Sequence, residues 1–158
     1  MMIIREFTPV DEIQVVSLWR RGGLETSEPN LLAQVQHKLL SQPGLFLVGT
    51  IHSTIIASAV ASHDGVNASI EYLTVAPEWQ RLGYGRRMVR EMERCLQEAG
   101  CRSVKLPVRP GNRPMLGFCE RLGYRTEKIL SMSKPLAEPA RKKPTLRDWA
   151  LECAATMA

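Results

Sequence analysis

The chain has 158 residues, a formal net charge of +5, 44% hydrophobic and 23% charged residues, which describes a globular protein with enough chain for one core. No apolar run is long enough to cross a bilayer, and Met1-Met2-Ile3-Ile4-Arg5 is not a secretory signal. Basic residues are spread along the chain, with clusters at Arg81–Arg90 and Arg141–Lys143 but no interleaved aromatics, so nucleic acid is an unlikely partner. The four cysteines (Cys95, Cys101, Cys119, Cys153) and the scattered His37, His52 and His63 have neither a disulfide framework nor metal spacing. A cytoplasmic protein without a metal is expected.

Met2–Phe7 reads as a first strand. Thr8-Pro9-Val10-Asp11 opens a helix, with a capping residue, proline at the first helical position and an acid at the third. Val10, Ile13, Val16, Leu18 and Trp19 supply its apolar face, and Gly22-Gly23 ends it. A second helix spans about Pro29–Ser41 on Leu31, Leu32, Val35 and Leu39, after an acidic loop, Gly22–Glu28. Leu45–Ile51 and Thr54–Ser62 are strands joined at His52-Ser53, and His63-Asp64-Gly65 turns into a third, ending at Val75. Consecutive hairpins predict an antiparallel meander.

A long helix follows on Met88, Met92, Leu96 and Ala99, and stops at Gly100. Ser103–Val108 is a strand in which Pro107 leaves one side unpaired. Pro110–Pro114 turns into a helix carrying Met115, Leu116, Phe118, Cys119 and Leu122, closed by Gly123. Tyr124–Lys134 is the last expected strand. Pro135–Pro144 is a polar linker, and Thr145 begins a short helix with Leu146, Trp149, Ala150 and Cys153 on one face. The fold expected is α/β (α+β): one mixed, mostly antiparallel sheet of about six strands, flanked by four helices. It makes a domain over residues 1–134, with a helical extension over 135–158.

The organising stretch is Ser69–Arg87, SIEYLTVAPEWQRLGYGRR. A strand ends at Ala76-Pro77, a glycine-bearing corner follows, and an amphipathic helix begins. The first N–H groups of a helix lack internal partners, and its dipole favours negative charge there. Gly83 and Gly85 admit close backbone approach, and Arg81, Arg86 and Arg87 add charge. A pyrophosphate fits such a corner, although Gly-x-Gly alone also serves in ordinary loops. There is no Gly-Lys-Ser/Thr, and the third glycine of a dinucleotide fingerprint is missing.

The fuller pattern, x-Val-x-Pro-x-x-Gln-Arg-x-Gly-x-Gly between strand and helix, resembles the acetyl-CoA-binding motif of the GNAT superfamily of N-acetyltransferases. The resemblance covers roughly residues 2–134 and rests on Tyr72–Arg87, Arg109–Arg113 and Met115–Tyr124. The Leu45–Val48 strand, the Asp64-Gly65 turn and Leu116–Tyr124 are most similar to the small bacterial YpeA-like acetyltransferases. The resemblance implies transfer of acetyl from acetyl-CoA to an amine by direct attack in a ternary complex; the alternative is a non-catalytic acyl-CoA-binding or sensor module. It implies a strand bulge at Leu73, Thr74 and Val75 that pairs with the pantetheine arm. The Val75 N–H would face the thioester carbonyl, while Arg81, Leu82, Gly83, Tyr84, Gly85 and Arg86 hold the pyrophosphate through their N–H groups. Asn112 matches a pantetheine contact or is simply a helix cap.

The family's tyrosine acid is replaced by Cys119, which is either the proton donor or a small core residue. Glu71 is the candidate base, since strict alternation would set it on one face with Leu73 and Val75; a structural ion pair or an edge position are the alternatives. Glu25 and Glu28 are candidate contacts to a cationic acceptor, a small amine or a protein N-terminus. If the chain associates, a homodimer is the oligomer expected.

Overall fold

The computed structural model describes residues 1–24, 31–41 and 44–137. It divides into two units, Met1–Arg125 and Thr126–Ala158. In the first, the elements run β1 (Ile3–Glu6), α1 (Glu12–Arg21), α2 (Leu31–Ser41), β2 (Gly44–Ile51), β3 (Thr54–His63), β4 (Asn67–Val75), α3 (Tyr84–Glu98), β5 (Ser103–Lys105) and α4 (Arg113–Arg121). The sheet order is β1-β2-β3-β4-β5. The first four strands pair antiparallel, and β5 joins β4 in parallel. The expected mixed sheet and four helices are present.

Local chemistry accounts for the connections. His52 and Ser53 both take positive φ (47° and 65°) between the paired Ile51 and Thr54, a two-residue turn whose twist suits a hairpin. At the start of α1 the Asp11 carboxylate accepts from the Thr8 N–H at 2.8 Å and from both Arg5 guanidinium nitrogens at 2.7 and 2.8 Å. Those contacts, chiefly Arg5, pull the Asp11 pKa down to about 2. This lock decides which side of α1 faces in. Val15, Leu18 and Trp19 are buried, whereas Val10 and Ile13, expected on the inner face, are 86% and 84% exposed. A turn of 3-10 helix over Pro9–Asp11 precedes α1 and places Asp11, not its apolar neighbours, on the inner face.

Two apolar layers sandwich the sheet. On one side Ala57, Ala59, Ala61, Ala68 and Ile70 meet Met88, Val89, Met92 and Leu96 of α3. Small alanines on β3 let the long methionines of α3 lie close, and each fully buried side chain contributes about 1.5–3 kcal/mol. On the other side Phe46, Val48, Ile55 and Val60 meet Val15, Leu18 and Trp19 of α1 and Leu32 and Val35 of α2. Trp19 donates its indole N–H to Ser58 Oγ at 2.8 Å, so neither buried polar group is orphaned.

The last strand expected, Tyr124–Lys134, is not formed: residues 124–137 carry no helix or ladder. The run Ile129-Leu130 breaks the alternation that a half-buried strand requires, and the two are 69% and 93% exposed. Helix Thr145 onward and the rest of the tail lie outside the described residues, as do Gln42-Pro43 and the loop carrying Glu25 and Glu28.

Candidate active site

The site is built on β4, and its first feature is a fault in the ladder. Glu71 pairs with Val60 and Thr74 with Ser58, so Tyr72 and Leu73 together oppose Ala59. Tyr72 absorbs the extra residue with φ 54°. This is a β-bulge, as the motif implied. It also overturns the alternation argument for Glu71. Cross-strand partners share a face: Ile70 with Ala61 and Val75 with Ala57 lie toward α3, while Glu71 with Val60 lies toward α1 and α2. Leu73 packs with the α3 layer and Tyr72 stacks on Trp19 in the other, ring centroids 5.7 Å apart. Glu71 therefore sits on the face opposite the side chains of Leu73 and Val75, because the inserted residue shifts the phase.

The second feature is an open edge. β5 pairs with β4 only at Asn67, Ala68 and Ser69. Beyond Lys105 come Leu106 and Pro107, and proline has no N–H to extend a ladder. Ala76 N–H bonds Ile56 O of β3 at 2.8 Å. Alternation of backbone groups then turns the N–H of Val75, and of Leu73, away from β3 toward the edge that β5 has left. Gln80 Nε2 donates to Val75 O at 3.0 Å on that same side. Thr74 is buried against the end of α1: a Cβ on Gly22 would overlap Thr74 Cγ2.

The third feature is the corner itself. After the Pro77–Trp79 turn, Arg81 (φ 62°) and Gly83 (φ 85°) take left-handed conformations and α3 starts at Tyr84. Gly83 caps α3 without a side-chain hydrogen bond, and its first turn holds no acid. The N–H groups of Arg81, Leu82 and Gly83, and those of Tyr84, Gly85 and Arg86 in the first helical turn, have no acceptor among the described residues. Arg81 and Arg86 are exposed beside them. Arg87 is committed elsewhere, donating Nη2 to Met2 O at 2.9 Å. Gly85 lies under the Phe118 ring, where a Cβ would sit 3.4 Å from Cζ. Six converging donors and two cations at a helix N-terminus suit a diphosphate.

Comparison with known proteins decides the family. The sequence matches the acetyltransferase (GNAT) family over residues 13–124. The chain belongs to the GNAT acetyltransferases. Two Yersinia pestis proteins named "Acetyltransferase", from the Pestoides F and Antiqua strains, are each 30% identical over 135 residues, 85% of this chain and 96% of theirs. The fold is also that of solved acetyltransferases. An aminoglycoside 6'-N-acetyltransferase from Acinetobacter haemolyticus has TM-score 0.71 at 20% identity, covering 85% of this chain and 99% of that one. The PaiA N-acetyltransferase of Thermoplasma acidophilum, solved with coenzyme A, has TM-score 0.68 at 20% identity, covering 82% and 92%. This GNAT protein is an acetyl-CoA-dependent N-acetyltransferase. The unpaired donors of its corner and the unzipped β4 edge fit the diphosphate and the amide-bearing arm of coenzyme A.

Other residues of the GNAT domain fall in two groups. Asn112 is the N-cap of α4, its Oδ1 accepting from Met115 N at 3.3 Å. Cys119, on α4, is 4% exposed, and burial raises its thiol pKa. Tyr124, just past α4, has a buried hydroxyl whose pKa is pushed well up by burial and by the Glu93 carboxylate beside it. Gln80 and Phe118 were not singled out from the sequence. Gln80 stands inside the motif, but only the fold reveals that its amide holds the β4 carbonyl. No helix among the described residues is long and apolar enough to cross a membrane.

Proposed function

We propose that the acetyl group passes directly from acetyl-CoA to a neutral amine held on the α1/α2 side of the open β4 edge. The observation that carries this reading is the alignment of the bare α3 N-terminus with the unpaired edge of β4 at Leu73 and Val75. When bound there, acetyl-CoA supplies an activated thioester. In this reading the Val75 N–H stabilises the developing oxyanion, a fixed donor that needs no reorganisation. Glu71, on the α1/α2 face, takes the amine proton directly or through water. Glu25 and Glu28 help draw in a cationic acceptor. Asn112, besides its cap, adds a contact to the pantetheine.

Cys119 is the proposed proton source for the departing thiolate. Burial raises its thiol pKa and keeps it protonated at neutral pH, which makes it a weaker acid than an exposed cysteine. Its contribution should accordingly be small, with Cys119→Ala lowering kcat by less than about tenfold. By reference pKa values a lysine amine is neutral to roughly 0.04% at pH 7 and an α-amine to about 10–20%. A site with one modest acid and one base therefore suits a small amine or a protein N-terminus. The free thiols Cys95, Cys101 and Cys119 support a reducing, cytoplasmic setting. The catalytic domain is proposed to end near residue 134.

The test is release of thiol from acetyl-CoA against a panel of amines. Glu71→Gln should lower kcat/KM by about 10²–10³ and change the shape of the pH profile. A rate and profile unchanged by that substitution would remove Glu71 from the chemistry.

A further inference from the structure

The last turn of α1 meets β4 at the bulge itself. Trp19 stacks on Tyr72, the residue held at φ 54°, with ring centroids 5.7 Å apart. Its indole N–H donates to Ser58 Oγ at 2.8 Å, and Ser58 is the cross-strand partner of Thr74. Gly22 lies directly on Thr74, so that a Cβ there would overlap the Thr74 Cγ2 methyl. One turn of helix thus touches the residue that carries the bulge, the residue that restores the ladder, and that residue's partner.

Gly22 is not a glycine for its dihedrals. Its φ of −82° and ψ of 1° are open to any residue, and the left-handed step that ends the helix falls to Gly23 at φ 75°. What Gly22 provides is closeness. Thr74 is buried beneath it, and the Thr74 hydroxyl donates to Tyr72 O at 3.4 Å. The planar peptide that follows Thr74 carries the Val75 N–H, so Thr74 does not move without taking that donor with it. β4 is also the softer side of the contact. Beyond Ser69 it pairs, among the described strands, with β3 alone. α1 is held by its buried Trp19 and, at its start, by the Arg5–Asp11 pair. Extra volume at position 22 is therefore relieved by β4.

We infer that Gly22 is a positioning residue for acetyl transfer: by seating the end of α1 on Thr74 it sets the bulge and, through it, the place of the Val75 N–H. The inference rests on the acetyl-transfer reading above for the work that N–H does. Relieving the overlap of an added methyl needs a shift on the order of 1 Å, and a misplacement of that size costs about a hundredfold in a preorganised site.

The experiment is a double-mutant cycle that removes the Thr74 methyl. Gly22→Ala should lower kcat by about 10–100-fold, leave the acceptor KM within about twofold, and move the Val75 amide resonance in NMR spectra. Thr74→Ser lacks the methyl and keeps the hydroxyl, and in that background the same Gly22→Ala step should cost less than about threefold. Gly23→Ala controls for lost stability: its Cβ has nothing within 4 Å but its φ is strained. It should lower the melting temperature and change kcat by less than about twofold. Trp19→Phe loosens the same seat by freeing Ser58, and should lower kcat about 3–10-fold with the same resonance moved. A Val75 resonance and a kcat both unmoved by Gly22→Ala, or an equal loss in the two Thr74 backgrounds, would overturn the inference and leave acetyl transfer standing. A resonance that moves only when the Thr74 methyl is present, with kcat unchanged throughout, would keep the seat and overturn the role given to the Val75 N–H.

Discussion

Three helices in this molecule, α1, α3 and α4, have their N-caps among the described residues, and they begin in two different ways. The first is closed by its own sequence: Asp11 ties back to Thr8 and is clamped by Arg5. α4 is closed by the Asn112 side chain. α3 is not closed at all, having a glycine cap, no acid in its first turn and arginines in place of one. A glycine cap costs only about a few tenths of a kcal/mol relative to a good side-chain cap, so leaving this end open is cheap. Among the described caps, the open one also belongs to the helix that follows the strand whose edge its neighbour has left. The contrast teaches that a missing cap is informative where the neighbouring helices are capped, because its unpartnered N–H groups leave room for an external anion.

Closing α3 should give the largest effect. Gly83→Asp puts a carboxylate in the corner proposed to hold the diphosphate, and acetyl-CoA affinity should fall by more than about 100-fold in calorimetry. The melting temperature should stay within a few degrees, since a new cap offsets the positive φ. Removing one cation should do less: Arg81→Ala or Arg86→Ala is expected to weaken binding about 3–10-fold, with reduced salt dependence. Arg87→Ala should act on stability instead, because that side chain holds the Met2 carbonyl.

Uncapping a closed helix should give a smaller effect and a different readout. Asn112→Ala should cost about 1 kcal/mol in denaturant unfolding. If acetyl-CoA binding weakens by more than the stability loss explains, Asn112 also contacts the ligand; if not, it is a cap alone. The Arg5–Asp11 lock is read through its pH dependence, which is confined to the acid range. The Asp11 pKa lies at about 2 in the folded chain against an ordinary 3.8. Its stabilisation is therefore fully present above about pH 5 and is lost as pH falls from 4 through 2. Thermal melts of Asp11→Asn should show a flatter dependence across that window than the parent protein, and parallel curves would refute the assignment.

Much of this was legible residue by residue. The strand–glycine–helix order at Ser69–Arg87, the His52-Ser53 turn, the Thr8–Asp11 cap and the antiparallel run of β2 to β4 are local patterns, set by dihedral preference and by side chains within a few positions. Cys119 was open between acid and core, and its burial came from where α4 packs. Val10 and Ile13 were misplaced because an ion pair from another strand, not apolar periodicity, set the rotation of α1.

By itself, the sequence determined that a glycine-bearing, basic helix start would follow a strand; that its ligand is a diphosphate-bearing thioester came from the resemblance of the whole motif to the GNAT acetyltransferases. The tertiary structure decided which face of β4 each side chain takes and how far β5 stays beside it. The reason is that a bulge is a mismatch in residue count between two strands. No single strand records it, so the faces of Glu71 and Leu73 exist only once β3 and β4 have paired.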